Sequence, residues 1–198
     1  LVSVPGSKAT IAGLASVREG GWDIDLQAHV RRGGHVLGIC GGYQMLGRKV
    51  ADFDGIEGPP SSVEGLGLLE VETALEGDKV LVETTGEMVA GNVPFKGYEI
   101  HIGRTSGATR PLLRLANGKP DGMVSDSGRV AGCYIHGLLT DDRQRRYWLE
   151  KIDAPISTLS YEAEVEATLD LLADHLEKHV DCDALLALAR EPTITAAG

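Results

Sequence analysis

The sequence predicts an α/β fold: a mostly parallel sheet flanked by helices, with additional short antiparallel strands and a C-terminal helical segment. Three observations carry this. As far as Gly47 the chain alternates apolar strand-like runs with helical periodicity, the rhythm of a parallel sheet. From Gly65 to His136 it breaks into short β-like runs punctuated by Gly, Pro and Asp. Beyond Pro155, Val165, Leu169, Leu172 and Leu176 recur on one helical face.

Taken in order, LVSVPGSKAT opens with a short buried strand that ends in a turn at Pro5 and Gly6. So abrupt a start suggests a chain cut from something longer. Residues 10–19 carry apolar residues at helical spacing, and GGWDIDLQAHVRRG holds a second helix with Ile24, Ala28 and Val30 on its inner face. Gly33 and Gly34 stop that helix, and the apolar run His35 to Ile39 forms the next strand. A helix follows from Tyr43. The stretch after Gly47, rich in Gly, Pro and Asp, is a long loop, and long ordered loops of this kind are more often functional than idle. β segments follow over residues 65–73, 79–89 and 92–103, then a turn at Asp121 to Gly128 and an apolar strand over residues 129–136. A charged helix spans Asp141 to Ile152, and Tyr161 to Arg190 is helical with a break near Asp181. The domain boundary falls at 152/153, with 153–198 a helical segment packed on the 1–152 domain, itself truncated at its N-terminus.

The central stretch is GICGGYQMLG, Gly38 to Gly47. Cys40 stands between Gly38 and Gly42, with Gly41 directly after it, giving GxCxG, the thiol form of a nucleophile elbow. In such an elbow a strand turns sharply into a helix and holds the nucleophile in strained backbone, so its neighbours must be small. The helix N-terminus favours negative charge on the sulfur, and the Gly41 amide is placed to donate to an oxyanion. A buried structural cysteine in a Gly-rich turn fits the same ten residues, so flanking sequence must decide.

Composition narrows the chemistry. The 198 residues suit one well-buried domain with a small appendage, and 42% hydrophobic with 24% charged residues is ordinary for a soluble globular protein. A net charge of -10 argues against phosphate backbones and anionic membrane surfaces, and so against nucleic acid as a partner. No apolar run approaches the roughly 20 residues that cross a bilayer. Three widely spaced cysteines, Cys40, Cys133 and Cys182, build neither a disulfide framework nor a zinc site. The compartment expected is the cytoplasm.

A thiol nucleophile needs a base, and six histidines are candidates. His29 lies in a polar helix and His35 at the far end of the nucleophile strand. His175 and His179, a helical turn apart, lack a third ligand, so no metal is expected. His136, in GCYIHGLL, emerges at the C-terminal end of an apolar strand, the edge where ligands bind in open α/β sheets, and can take the thiol proton and return it to a leaving amine. His101, in GYEIHIG, is the second choice.

PGSK, GICGGYQMLG, GLGLLEVET, GYEIHIG and GCYIHGLL, in this order and spacing over Leu1 to about Leu149, resemble the C-terminal glutaminase domains of the cobyric acid synthase family. Cobyrinic acid a,c-diamide synthases and the glutaminase of lipid II amidation have a similar elbow; GYEIHIG favours the first. A stand-alone cysteine hydrolase of the same fold is a further alternative. The resemblance implies a class I glutamine amidotransferase-like (flavodoxin-like) fold and a glutamine-hydrolysing amide ligase of cobalamin biosynthesis. Cys40 would attack the side-chain amide of glutamine, forming a glutamyl thioester, with His136 as general base and acid. Gly41, Gly6 and Ser7 would supply oxyanion donors, and Gln44 would help bind glutamine. The ammonia would serve an N-terminal synthetase domain of the same polypeptide, which uses ATP and Mg to amidate a corrinoid. No GxxxxGK[ST] occurs here, so no cofactor is expected on this chain. The acidic residue that normally follows the histidine by two positions is replaced by Leu138; the site would work as a Cys-His dyad, and Glu99 is a weak substitute.

Overall fold

The computed structural model describes residues 1–77 and 79–189. The chain divides into two compact units, Leu1–Ser157 and Thr158–Gly198. In chain order the first unit begins β1 (Val2–Val4), α1 (Thr10–Glu19), α2 (Trp22–Arg31), β2 (Val36–Ile39), α3 (Gly41–Leu46), β3 (Lys49–Asp52), β4 (Ser61–Glu64) and β5 (Glu72–Ala74). It continues with β6 (Val80–Met88), β7 (Pro94–His101), β8 (Arg104–Ser106), β9 (Leu113–Leu115), β10 (Pro120–Asp121), β11 (Met123–Val124), β12 (Val130–Cys133), β13 (Ile135–His136) and α4 (Asp142–Lys151). The second unit holds α5 (Tyr161–His179) and α6 (Cys182–Leu188), neither of which has a buried residue. The end of the expected helix at Arg190 lies outside the described residues.

Three sheets result. The first, ordered β1-β2-β12-β11, is parallel except for its β11–β12 edge. The second, β10-β9-β6-β7-β13, is wholly antiparallel. The third, β4-β3-β5-β8, has one parallel pair, β3–β5. The parallel sheet is therefore smaller than the opening rhythm suggests. β2 is its covered centre: Val36 belongs to one apolar cluster with Leu14, Tyr43 and Leu46, and the next residue, Leu37, to another with Phe95, Ile135 and Trp148.

Four expectations are corrected. β1 is an edge strand among the described residues: Val4 is buried, while Val2 is 36% exposed. On α2 the inward residue is Leu26, 8% exposed, and Ile24 is 65% exposed; two positions apart on a helix is 200°, so one cannot face inward with the other. The segment after Gly47 is not all loop, since β3 and β4 pair within it. Lastly, the apolar run 129–136 is two strands in two sheets. β12 continues the parallel sheet and β13 joins β7, with only Tyr134 between them.

Candidate functional site

Cys40 sits where β2 passes into α3, with φ 54 and ψ -116. A non-glycine residue in this region is strained and persists only where its surroundings over-determine it. They do so here through glycines. A Cβ on Gly42 would lie 2.0 Å from the Val4 carbonyl oxygen, one on Gly38 2.8 Å from the Tyr43 amide nitrogen, and one on Gly41 2.8 Å from the Ser7 amide nitrogen. The β1–α1 turn and the elbow thus pack backbone to backbone, which brings Gly41 and Ser7 together. The Ser7 hydroxyl is occupied with Ala9, donating to its carbonyl and accepting from its amide, so the backbone is what Ser7 offers.

The sheet switch at Tyr134 aims His136 at the thiol. A Cβ on Gly6 would stand 3.4 Å from His136 Cε1, 3.4 Å from Cys40 Cβ and 3.7 Å from Cys40 Sγ, so the two side chains meet around the same backbone position. Tyr98, opposite His136 in the β7–β13 register, stacks on the imidazole at 5.2 Å and 14°. His136 Nε2 is buried without a protein partner, and burial lowers the imidazole pKa below its ordinary value, partly offset by the Ile100 backbone. A neutral imidazole is the form that can accept a proton.

The expected stabilised thiolate is not what the resting site holds. Burial pushes the Cys40 thiol above its ordinary pKa; the Gly41 amide and Lys79 work against this, and Glu57 reinforces it. The Sγ donates to the Ile100 carbonyl at 3.2 Å. Desolvation outweighs the helix N-terminus, so the proton must be removed during reaction.

Cys40, His136, Gly6, Ser7, Gln44 and His101 all line one cleft of about 730 Å³. Gln44 is 2% exposed. Its Nε2 donates to the Ile102 carbonyl at 3.0 Å and to the Tyr134 hydroxyl at 3.2 Å, and its Oε1 accepts from Thr10 at 2.9 Å. It therefore ties α1, α3 and the end of β7 together and offers the cleft acceptor capacity alone. His101 Nε2 lies 2.7 Å from Glu99 Oε1, its ring stacks on Tyr134 at 3.7 Å, and its buried Nδ1 has no protein partner. Glu99 is thereby paired with His101. Leu138 is 2% exposed in the apolar cluster around Ile135 and cannot orient His136. Stacking by Tyr98 and the Ile100 backbone hold the imidazole instead. His175 and His179 have ring centroids 4.5 Å apart, and among the described residues no three His, Cys, Asp or Glu assemble a metal site.

The sequence reasoning passed over four residues that line the cleft: Lys8, Glu57, Lys79 and Tyr98. Glu57 lies in the Gly- and Pro-rich segment marked out as functional, a signal that pointed to the segment without picking the residue.

Comparisons with known proteins agree in kind. Residues 1–144 match the family model described as the CobB/CobQ-like glutamine amidotransferase domain. The chain is similar to a cobyric acid synthase of Bradyrhizobium sp. (strain ORS 278), 60% identical over 96% of this chain and 39% of that protein. It is also similar to one of Methylobacterium nodulans, 59% identical over 96% of this chain and 39% of that protein. Among solved structures, one described as a glutamine amidotransferase matches with a TM-score of 0.53 and 25% identity, covering 75% of this chain and 76% of that one.

Proposed function

The chain belongs to the CobB/CobQ-like glutamine amidotransferase domain family, and from that premise we propose that it is the glutaminase part of a cobyric acid synthase. The chain spans 39% of the length of these two curated relatives, so the amidation reaction is assigned to the longer polypeptide. The observation that carries the reading is the juxtaposition at the elbow: Cys40 in strained backbone, with the Cys40 and His136 side chains meeting around Gly6.

His136 takes the Sγ proton as the sulfur attacks the side-chain carbonyl carbon of glutamine. The carbonyl oxygen becomes an oxyanion, met by the backbone amides of Gly41 and of the Gly6–Ser7 turn. The C–N bond breaks, the protonated His136 gives its proton to the departing amine, and ammonia leaves a glutamyl thioester. Water, deprotonated by His136, then attacks the thioester; the C–S bond breaks, glutamate departs, and the sulfur regains its proton. Gln44 contributes an acceptor from the helix behind the sulfur and holds the wall of the substrate site. The thiol's raised pKa makes His136 necessary in the first step.

Ammonia so released would amidate peripheral carboxylates of a corrinoid, in the cytoplasm, at a synthetase site elsewhere in the polypeptide. ATP and magnesium belong to that site in this proposal. Among the described residues no three His, Cys, Asp or Glu assemble a site that would hold magnesium. Among the described residues no helix is long and apolar enough to cross a membrane.

The test is Cys40→Ser in the full-length polypeptide. Glutamate release from glutamine should fall by a factor on the order of 10⁴ or more, as for removal of other covalent nucleophiles, while ATP-dependent amidation with free ammonia persists. Undiminished glutamine use by the variant would exclude the mechanism.

A further inference from the structure

The cysteine, the histidine and the oxyanion donors account for hydrolysing a carboxamide; they do not account for choosing one. A free amino acid differs from other carboxamides in bearing an ammonium and a carboxylate on one carbon, so a selective cleft needs a fixed anion and a fixed cation near the sulfur. Among the described residues lining the cleft, Glu57 is the carboxylate, and Lys8 and Lys79 are the ammonium groups.

Glu57 is held in place from two sides. Asp52, 1% exposed at the end of β3, accepts from the Ile56 amide at 2.8 Å and from the Glu57 amide at 2.8 Å. Those bonds lower the Asp52 pKa, keeping the clamp ionised. The Glu57 side chain in turn accepts from the Ile11 amide at 3.2 Å, which fixes it against the start of α1. One hydrogen bond leaves a carboxylate with capacity for further donors. Lys79 approaches from the residue before β6. The charges of Glu57 and Lys79 both reach Cys40, pushing its thiol in opposite directions, and Lys8 has no such effect. In glutamine the α-carbon lies three bonds, roughly 4 Å, from the carbon the sulfur attacks, so charged groups that line the same cleft and act on the sulfur are at the scale its two α-substituents require.

We infer that Glu57 and Lys79 form the subsite that grips the α-ammonium and the α-carboxylate of the substrate, making the cleft selective for a free amino acid with a side-chain carboxamide. This rests on the glutaminase reading. The segment after Gly47 then has a purpose: Asp52 folds it so that Glu57 faces the sulfur before substrate arrives.

The experiment compares three carboxamides by kcat/KM for ammonia release, using the full-length polypeptide. These are glutamine, 4-carbamoylbutanoate, which lacks the ammonium, and glutamine α-amide, which lacks the carboxylate. The unaltered enzyme should prefer glutamine over each by at least about 100-fold. Glu57→Gln should shrink the preference over 4-carbamoylbutanoate by about tenfold or more while leaving that over the α-amide. Lys79→Met should do the converse. Alkylation of Cys40 by iodoacetamide reports an intact cleft: it should run faster in Glu57→Gln and slower in Lys79→Met, following the direction each charge pushes the thiol. If the two preferences survive in their respective variants, the subsite is elsewhere, although Cys40-dependent glutamate release still stands. If Cys40→Ser releases ammonia as well as the unaltered enzyme, both readings fall together.

Discussion

At residue scale the site is a problem of clearance. Cys40 tolerates φ 54 because three glycines around it, Gly38, Gly41 and Gly42, let backbone approach backbone. Gly42→Ala would push a methyl to 2.0 Å from the Val4 carbonyl oxygen. A backbone clash cannot be relieved by a rotamer change, so a loss of about 3 kcal/mol or more is expected, read as a lowered melting temperature. Choosing between the two histidines is equally local. His136 and Cys40 both stand against the Gly6 position, whereas the contacts of His101 are with Glu99 and Tyr134. His136→Ala should cut glutamate release nearly as far as loss of the cysteine, since members of one catalytic unit are not additive; His101→Ala should retain thioester formation. A burial-lowered His136 pKa also sets the acid limb of kcat/KM below 6.5, because the base stays neutral to lower pH than an ordinary histidine. A pH profile with its acid limb above that value would contradict the assignment.

At the scale of elements, the decisive event is the change of sheet between β12 and β13. The parallel sheet places Cys40 beside β12, and the antiparallel sheet places His136 beside Tyr98 of β7. The turn after β13 carries Leu138 into the core. Leu138→Glu, which restores an acid at the usual position, should therefore destabilise the fold by several kcal/mol for an unpaired buried charge and yield no faster glutamate release. Asp121, on β10, lies under the same junction and accepts from the Tyr134 amide at 3.0 Å. Desolvation raises its pKa from 3.8 to about 6, against the pull of that amide. The folded chain thus binds more protons than the unfolded one between those values, so stability is greatest below about pH 4 for this group and falls as pH rises to 6. The change amounts to roughly 3 kcal/mol. Asp121→Asn should flatten that slope in urea titrations across the interval.

For the whole molecule, the proposed function calls for a synthetase that consumes the ammonia. The relatives are longer, this chain covering 39% of each, and a glutaminase is useful only where its ammonia is consumed. Retention of ammonia-dependent amidation in Cys40→Ser is the measurement that separates the two activities. The net charge of -10 fits small-molecule chemistry, and the cleft concentrates two opposite charges near the sulfur where a zwitterion can use them.

The sequence by itself determined the elbow and the order of the first elements, and put Cys40 and His136 forward as nucleophile and base. These are local matters: glycine spacing around a nucleophile follows from backbone clearance, and helical or alternating apolar spacing follows from which face is buried. It left His101 open, set Ile24 inward on α2 where Leu26 belongs, and read residues 129–136 as one strand. Nothing local in AGCYIHG says that pairing partners change at Tyr134, because strand pairing is decided by residues distant in sequence. Nor does a thiol's pKa follow from its motif, since desolvation depends on everything packed around it. Only the tertiary structure could bring Glu57, from a segment some twenty residues past the elbow, and Lys79 to the same sulfur as His136.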